Sequence, residues 1–181
     1  MKSKILNLKS IVLFILFSVI ATMVLSYPGG APAGKTGSPA DVSLCTSCHD
    51  ASVKTQTGMI SSNAAGNEYI PGKTYTITAT ASGSASVKRI GFEVSPQDKT
   101  GKLLGKLILT NTIDTKFSGT DGKYVTHTNK GSQVNGKKTW SFNWVAPAKG
   151  TGTVVFYGAF LVSEKLQLVY RSTLELKEKT N

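Results

Sequence analysis

The feature that most constrains this chain is a succession of short β-type segments filling the greater part of it after Tyr69. Residues 74–80 alternate and are rich in Thr, Tyr and Ile, the residue types that suit a pleated, half-buried surface. Residues 87–95 carry Ile90, Phe92 and Val94 at period two, and residues 103–110 carry Leu103, Leu107 and Leu109 on one phase. A short segment follows at residues 124–128. Residues 139–146 place Trp140, Phe142 and Trp144 on one face, which reads as core rather than as a carbohydrate-binding stripe. Residues 153–161 are nearly all apolar, as expected of a central strand buried on both sides, and residues 166–176 close the set. Turn residues separate the segments: Pro71-Gly72, Ser82-Gly83, Gly119 to Gly122, Asn135-Gly136 and Lys149-Gly150. No long amphipathic pattern interrupts them. The expectation is an all-β fold, an antiparallel sandwich of about seven strands spanning residues 69–176.

The start of the chain reads differently. Residues 1–26 have the form of a secretory signal: Lys2, Lys4 and Lys9 make a positive start, and residues 11–25 are apolar except for Ser18 and Thr22. Tyr27 is then the expected mature start. The competing reading is an uncleaved membrane anchor, although the run is short for a span that needs about 20 apolar residues. Either way the product is expected to be exported, periplasmic or secreted, and to meet a membrane only through an uncleaved leader. The formal charge is +11, and of the 21 basic residues only Arg89 and Arg171 are not lysine. Export and the lack of an Arg-rich, aromatic-interleaved patch argue against nucleic acid. A solvated lysine-rich face, or docking to an acidic redox partner, remain.

Residues 27–68 form a lead-in and arm. Tyr27 to Asp41 is rich in Gly, Pro, Ala and Ser and cannot hold a long helix or a central strand. Ser38-Pro39 has the form of a helix cap followed by a first-turn proline, which would place Cys45 and Cys48 on one face of a short helix. Residues 50–67 read as loop with one short strand near residues 58–61.

Both cysteines of the chain and one of its two histidines lie in Cys45-Thr46-Ser47-Cys48-His49. A Cys-x-x-Cys-His run is the attachment signature of c-type haem. Two thiols one turn apart can form thioethers with two vinyl groups, and the next residue, His49, can bind the iron as proximal ligand. A Cys45–Cys48 disulfide is the rival reading in an exported chain, but nothing nearby resembles a thioredoxin-type unit. Structural zinc needs four ligands, and only the distant His127 could join these three. For the distal position on iron the candidates are His127 or Met59, with an open site, lysine or water as the remaining options. Ten residues separate His49 from Met59, an extended reach of about 33 Å. Residues 41–67 are too few to enclose a porphyrin, so a haem would pack against the sandwich. The chain shows no close carboxylate pair and no Gly-rich phosphate loop, and is not expected to be an enzyme.

The strand block also resembles the reelin-like (Reeler) domain, especially the bacterial form associated with variable C-terminal anchors. The residues that carry the likeness are Tyr69-Ile70-Pro71-Gly72-Lys73-Thr74-Tyr75-Thr76-Ile77, Arg89-Ile90-Gly91-Phe92-Glu93-Val94, Tyr124-Val125-Thr126-His127-Thr128, Trp140-Ser141-Phe142-Asn143-Trp144-Val145-Ala146-Pro147 and Gly150-Thr151-Gly152-Thr153-Val154-Val155-Phe156-Tyr157. The lead-in Gly30-Ala31-Pro32-Ala33-Gly34 followed by the Cys-x-x-Cys-His run is similar to the segment that precedes this domain in bacterial members. The resemblance implies an immunoglobulin-like β-sandwich and an exported location. It also implies that a histidine like His127 has a structural role in relatives that lack the cysteine run. The polar stub at residues 177–181 departs from the anchored pattern and points to a soluble product.

Two functions follow as expectations. One is an exported mono-haem c-type cytochrome transferring single electrons, with Cys45 and Cys48 holding haem and His49 binding iron. The alternative is an extracellular interaction or adhesion module in which haem is structural or absent.

Overall fold

The structure, a computed structural model, describes residues 29–162 and 167–180. The expected leader at residues 1–26 and the mature start at Tyr27 lie outside the described residues.

Strand formation follows the alternation in the sequence. β4 (Thr74–Ser82) turns Tyr75, Ile77, Ala79 and Ala81 inward and its threonines outward. β9 (Lys137–Val145) does the same with Trp140, Phe142 and Trp144. The two strands pair antiparallel with Ile77 opposite Phe142 and Ala79 opposite Trp140, so small and large side chains interleave. β2 (Ile60–Ser62) and β6 (Lys106–Leu109) flank them, giving a four-stranded sheet in the order β2-β4-β9-β6.

The second sheet is larger. Its main path among the described residues is β1 (Ser52–Thr55), β11 (Leu168–Glu178), β10 (Val154–Val162), β5 (Ile90–Gln97), β8 (Tyr124–His127) and β7 (Thr115–Ser118), with β3 (Glu68–Tyr69) also pairing β11. The pairings are antiparallel except for β1 and β3, which run parallel to β11. The two sheets face each other as a β-sandwich.

The aromatic residues of both sheets fill the space between them. Phe92 lies 4.4 Å from Trp140 between ring centres, and Trp144 meets Tyr69 and Phe156 edge-on at 5.4 and 5.1 Å. The polar tips of these rings are all paired. Trp140 Nε1 donates to Gly131 O, Trp144 Nε1 to Leu104 O, and the Tyr69 hydroxyl to Gly152 O. Gly158 sits mid-strand in β10 because a Cβ there would approach Ile60 Cδ1 at 2.8 Å and Val94 Cγ2 at 3.0 Å. Full burial of each large aromatic contributes about 1.5–3 kcal/mol.

The expected strands are present, and the sandwich takes in more of the chain than residues 69–176. Residues 50–67, expected to be loop with one short strand, supply β1 and β2. The expected stub at residues 177–181 overlaps the end of β11, where Lys177 and Glu178 pair with Glu68 and Tyr69. Such edge strands escape periodicity because Ser52–Thr55 is exposed throughout. Its position comes from backbone pairing to β11, to which side-chain patterning is blind.

Candidate functional site

The site begins with an inconsistency in β5. Ile90, Phe92 and Val94 point into the core, so Glu93, Ser95 and Gln97 ought to face water. All three are buried. The covering element is the Gly/Pro-rich lead-in, which lies along β5, β8 and β7. Its extended backbone has free donors and acceptors, and the sheet meets them. Ala31 donates its amide to Thr126 Oγ1 at 3.0 Å, Ser118 Oγ donates to Ala31 O at 2.7 Å, and Lys35 donates its amide to Glu93 Oε2 at 2.5 Å. Ser38 Oγ donates to Gln97 Oε1 at 2.9 Å.

Asp41 closes this arm onto the sheet. It accepts from Tyr124 OH at 2.6 Å, from Gln97 Nε2 at 3.2 Å and from the Thr36 hydroxyl, with Lys123 Nζ 3.9 Å away. Burial alone would raise its pKa. The hydrogen bonds from Thr36, Tyr124 and Gln97, helped by Lys123, outweigh that and hold the carboxyl below its ordinary value. Ser38 does cap a turn, accepting the Asp41 amide, but the expected short helix does not run on from it to the cysteines. Instead Val42 takes a positive φ of 55°, a bridge joins Thr36 to Leu44, and the chain enters a single 3₁₀ turn at Cys45–Ser47.

This turn presents the cysteine run. Cys48 and His49 both donate their amides to Cys45 O, at 3.2 and 3.1 Å. Cys48 is exposed and Cys45 half-buried; neither is in a disulfide. Burial, reinforced by the nearby Glu93 carboxyl, pushes the Cys45 thiol up to about 12. His49 Nδ1 lies 3.2 Å from Gln167 Oε1. An amide oxygen only accepts, so this contact is a hydrogen bond in the tautomer that carries its proton on Nδ1, which leaves Nε2 as the acceptor nitrogen.

His127 approaches from the other side, at the end of β8. The Phe92 amide donates to its Nδ1 at 3.0 Å, and Phe92 O lies 3.2 Å from the same nitrogen. Either neutral tautomer therefore finds a backbone partner. Burial draws its pKa down to about 4, with Lys116 and Arg89 adding to the effect, so the ring is neutral at neutral pH. Gly91 makes room for it: a Cβ there would meet His127 Cε1 at 2.7 Å.

Between arm and sheet lies a cleft of about 370 Å³. Cys45, Cys48 and His49 line it from the arm, and His127 lines it from the sheet. Ala31, Pro32 and Leu161 supply its apolar lining, and Gln167, Arg89 and Lys35 supply polar groups; Ile90 and Phe92 border it while their side chains stay in the core. Met59, the other distal candidate, is packed in the hydrophobic core and does not line the cleft. Among the described residues no group of three or more His, Cys, Asp and Glu is placed to hold a bare metal ion.

The sequence singled out Cys45, Cys48, His49 and His127, and the fold brings all four to one cleft. It did not single out Arg89, Gln167 or Glu93 as site residues. An acid, a serine and a glutamine on alternate positions of an otherwise apolar strand were the available signal that the outer face of β5 is covered.

A family model for the Reeler domain matches residues 43–171. The chain belongs to the Reeler domain family. Solved reeler structures agree on the fold. The crystal structure of the Reelin-N domain of F-spondin superposes with a TM-score of 0.56 at 19% identity, covering 72% of this chain and 93% of that one. The human F-spondin reeler domain (fragment 1) gives 0.54 at 20% identity, with 71% and 94% covered. No protein of curated function matches the sequence. The reeler match begins just before the Cys45–Ser47 turn, so the arm residues that bind Glu93 and Gln97 precede it, while His127 and the rest of the cleft's sheet side fall within it.

Proposed function

We propose that this protein is an exported reelin-like module, acting outside the cytoplasm through its sandwich, and that its arm is a seat for a c-type haem. The module half rests on the family match and the β-sandwich. It is the reading those two findings support best: an interaction or adhesion domain in which haem has a structural role, clamping the arm, or none. The expected export signal is consistent with it, and among the described residues no helix is long and apolar enough to cross a membrane.

A second reading, a mono-haem carrier of single electrons, is favoured by one observation. The complete attachment run and a histidine far from it in sequence line the same cleft. The residues present fit the group. Two unbridged thiols lie one turn apart, His49 offers Nε2 in the tautomer that donates to Gln167, apolar residues border them, and a second imidazole is held neutral on the sheet side of the cleft. Cys45 and Cys48 would hold the thioethers, His49 the proximal position, and His127 rather than Met59 the distal one. Bound haem supplies a reversible one-electron couple whose potential falls with bis-imidazole ligation relative to a Met ligand. The chain's own part is orientation and shelter. Gln167 would orient the His49 ring, the Phe92 carbonyl, accepting from Nδ1–H, would orient His127 and leave Nε2 as the ligating nitrogen, and Pro32 and Leu161 would shield one wall. Without Lys2, Lys4 and Lys9 of the expected leader the formal charge of +11 becomes 11 − 3 = +8, which suits an acidic redox partner.

The test uses the full chain with its leader, exported from a host that matures c-type haem, beside Cys48→Ala. Colour that survives acid-acetone extraction in the parent and disappears in the variant supports the haem seat. If the variant keeps the parent's melting temperature, haem is not a structural clamp, and reversible reduction of the parent then favours the electron carrier. A colourless parent whose two thiols titrate removes haem and leaves the interaction module standing alone.

A further inference from the structure

The cleft carries a charge pattern that the cysteine run does not explain. Two cations line it, Lys35 and Arg89, and among the described residues no carboxylate does. Neither cation has a carboxylate within ion-pair distance among the described residues. Lys35 Nζ donates to Ser43 Oγ at 3.0 Å. Arg89 Nη1 donates to Asn129 Oδ1 at 2.9 Å and to Ser132 Oγ at 2.8 Å, two neutral acceptors that hold the guanidinium in place without neutralising it. A guanidinium carries five donors in a planar fork, so most of its donors are left over. Its backbone is fixed as well, through the bridge between Arg89 and Gln133 at the entrance to β5.

Arg89 sits on the sheet side of the cleft, where its charge is felt by His127, whereas the thiols sit on the arm side. Pro32 and Leu161 line it as well. The cleft therefore combines two thiols, an apolar flank and an oriented cation. We propose that Arg89 is the carboxylate-docking residue of this cleft, and that the occupant is an apolar molecule with acidic groups on the edge that meets β5. This rests on the haem reading, in which those groups are the two propionates, and it adds a determinant of how the occupant is oriented. Lys35, on the arm, assists as a second and less directional charge.

The experiment removes the covalent link so that binding is reversible. The full chain carrying Cys45→Ser and Cys48→Ser is titrated with haemin and with haemin dimethyl ester, which has the same ring and no acid groups. Absorbance reports binding. The proposal expects haemin to bind at least about tenfold more tightly than the ester, the size of one charge-assisted hydrogen bond. Arg89→Gln should abolish that preference by weakening haemin alone, and Arg89→Lys should restore part of it. Circular dichroism and melting of each variant report folding separately. Equal affinity for haemin and ester in the parent, or a preference that survives Arg89→Gln, overturns the role of Arg89 and leaves the haem reading intact. Failure of both ligands to bind overturns the two together.

Discussion

Lys35 donates its backbone amide to Glu93 Oε2 at 2.5 Å, while the other oxygen of that buried carboxyl has no hydrogen-bond partner. This pair ties the arm to the centre of β5 directly behind the cysteine turn. It also makes arm docking dependent on proton uptake. Burial, with Asp41 adding to it and the Lys35 amide and ammonium opposing, pushes Glu93 up to about 8 from its ordinary 4.5. Between these values the folded chain holds a proton that the unfolded chain has released. The contribution of Glu93 to stability is therefore complete below about pH 4.5, declines as pH rises and is lost above about 8. His127 works in the opposite sense, but only between about 4 and 6.5. The window from 6.5 to 8 isolates Glu93. Urea unfolding should show stability falling with pH across it, and Glu93→Gln should flatten the slope. An unchanged slope would assign the effect elsewhere.

The two thiols should differ in reactivity when no haem is attached. Cys48 is exposed, and Cys45 is held as the thiol by burial beside Glu93. Iodoacetamide at pH 8 should label Cys48 first, giving a singly modified chain by mass spectrometry, with Cys45 following only on denaturation. Equal labelling of both would mean that the turn does not pack as described.

Gly91→Ala tests the seating of His127. The new Cβ meets Cε1 at 2.7 Å, so the imidazole must turn out and give up the Phe92 amide. Overpacking of this kind costs about 1–3 kcal/mol. Nuclear magnetic resonance titration should show the His127 pKa moving up from about 4 toward 6.5 as the ring leaves its buried place. A pKa that stays low would show that the sheet accommodates the methyl group.

Tyr124→Phe removes the 2.6 Å bond to Asp41 and leaves a buried carboxylate short of a donor. The loss expected for a hydrogen bond to a charged group is about 1.5–3 kcal/mol. Hydrogen exchange should place it in the arm: the amides of Ala31 and Lys35, bonded to Thr126 and Glu93, should exchange faster, while those of β4 and β9 keep their protection. Uniform loss across the sandwich would mean that the arm and sheets unfold as one unit.

These relationships show where the sequence was informative. Trp140, Phe142 and Trp144 announced their strand and its buried face through period two alone, and the apolar run in β10 announced a central strand. The Cys45-to-His49 run stood out because two thiols and an imidazole lie within five residues of sequence. The cleft was not legible in the same way. It depends on an extended, Gly/Pro-rich segment lying across β5, and such a segment has no periodicity to read. Its partners, Glu93, Gln97 and Tyr124, are recognisable only once β5 is known to be covered on both faces. The different settings of His127 and Met59 likewise needed the fold, because chain reach placed neither. Ile60 at the start of β2 carries the neighbouring Met59 into the core, and β8 carries His127 to the cleft.

The central claim is that the fold brings Cys45, Cys48 and His49 to His127 so that one group can be held among them. Low-temperature electron paramagnetic resonance, with the absorption spectrum, on the exported chain and on His127→Ala tests it most directly. The account predicts one covalently attached, low-spin, six-coordinate haem with two imidazole ligands in the parent, and loss of the low-spin signal in the variant. A colourless parent with two free thiols, or a haem spectrum indifferent to His127→Ala, would contradict it.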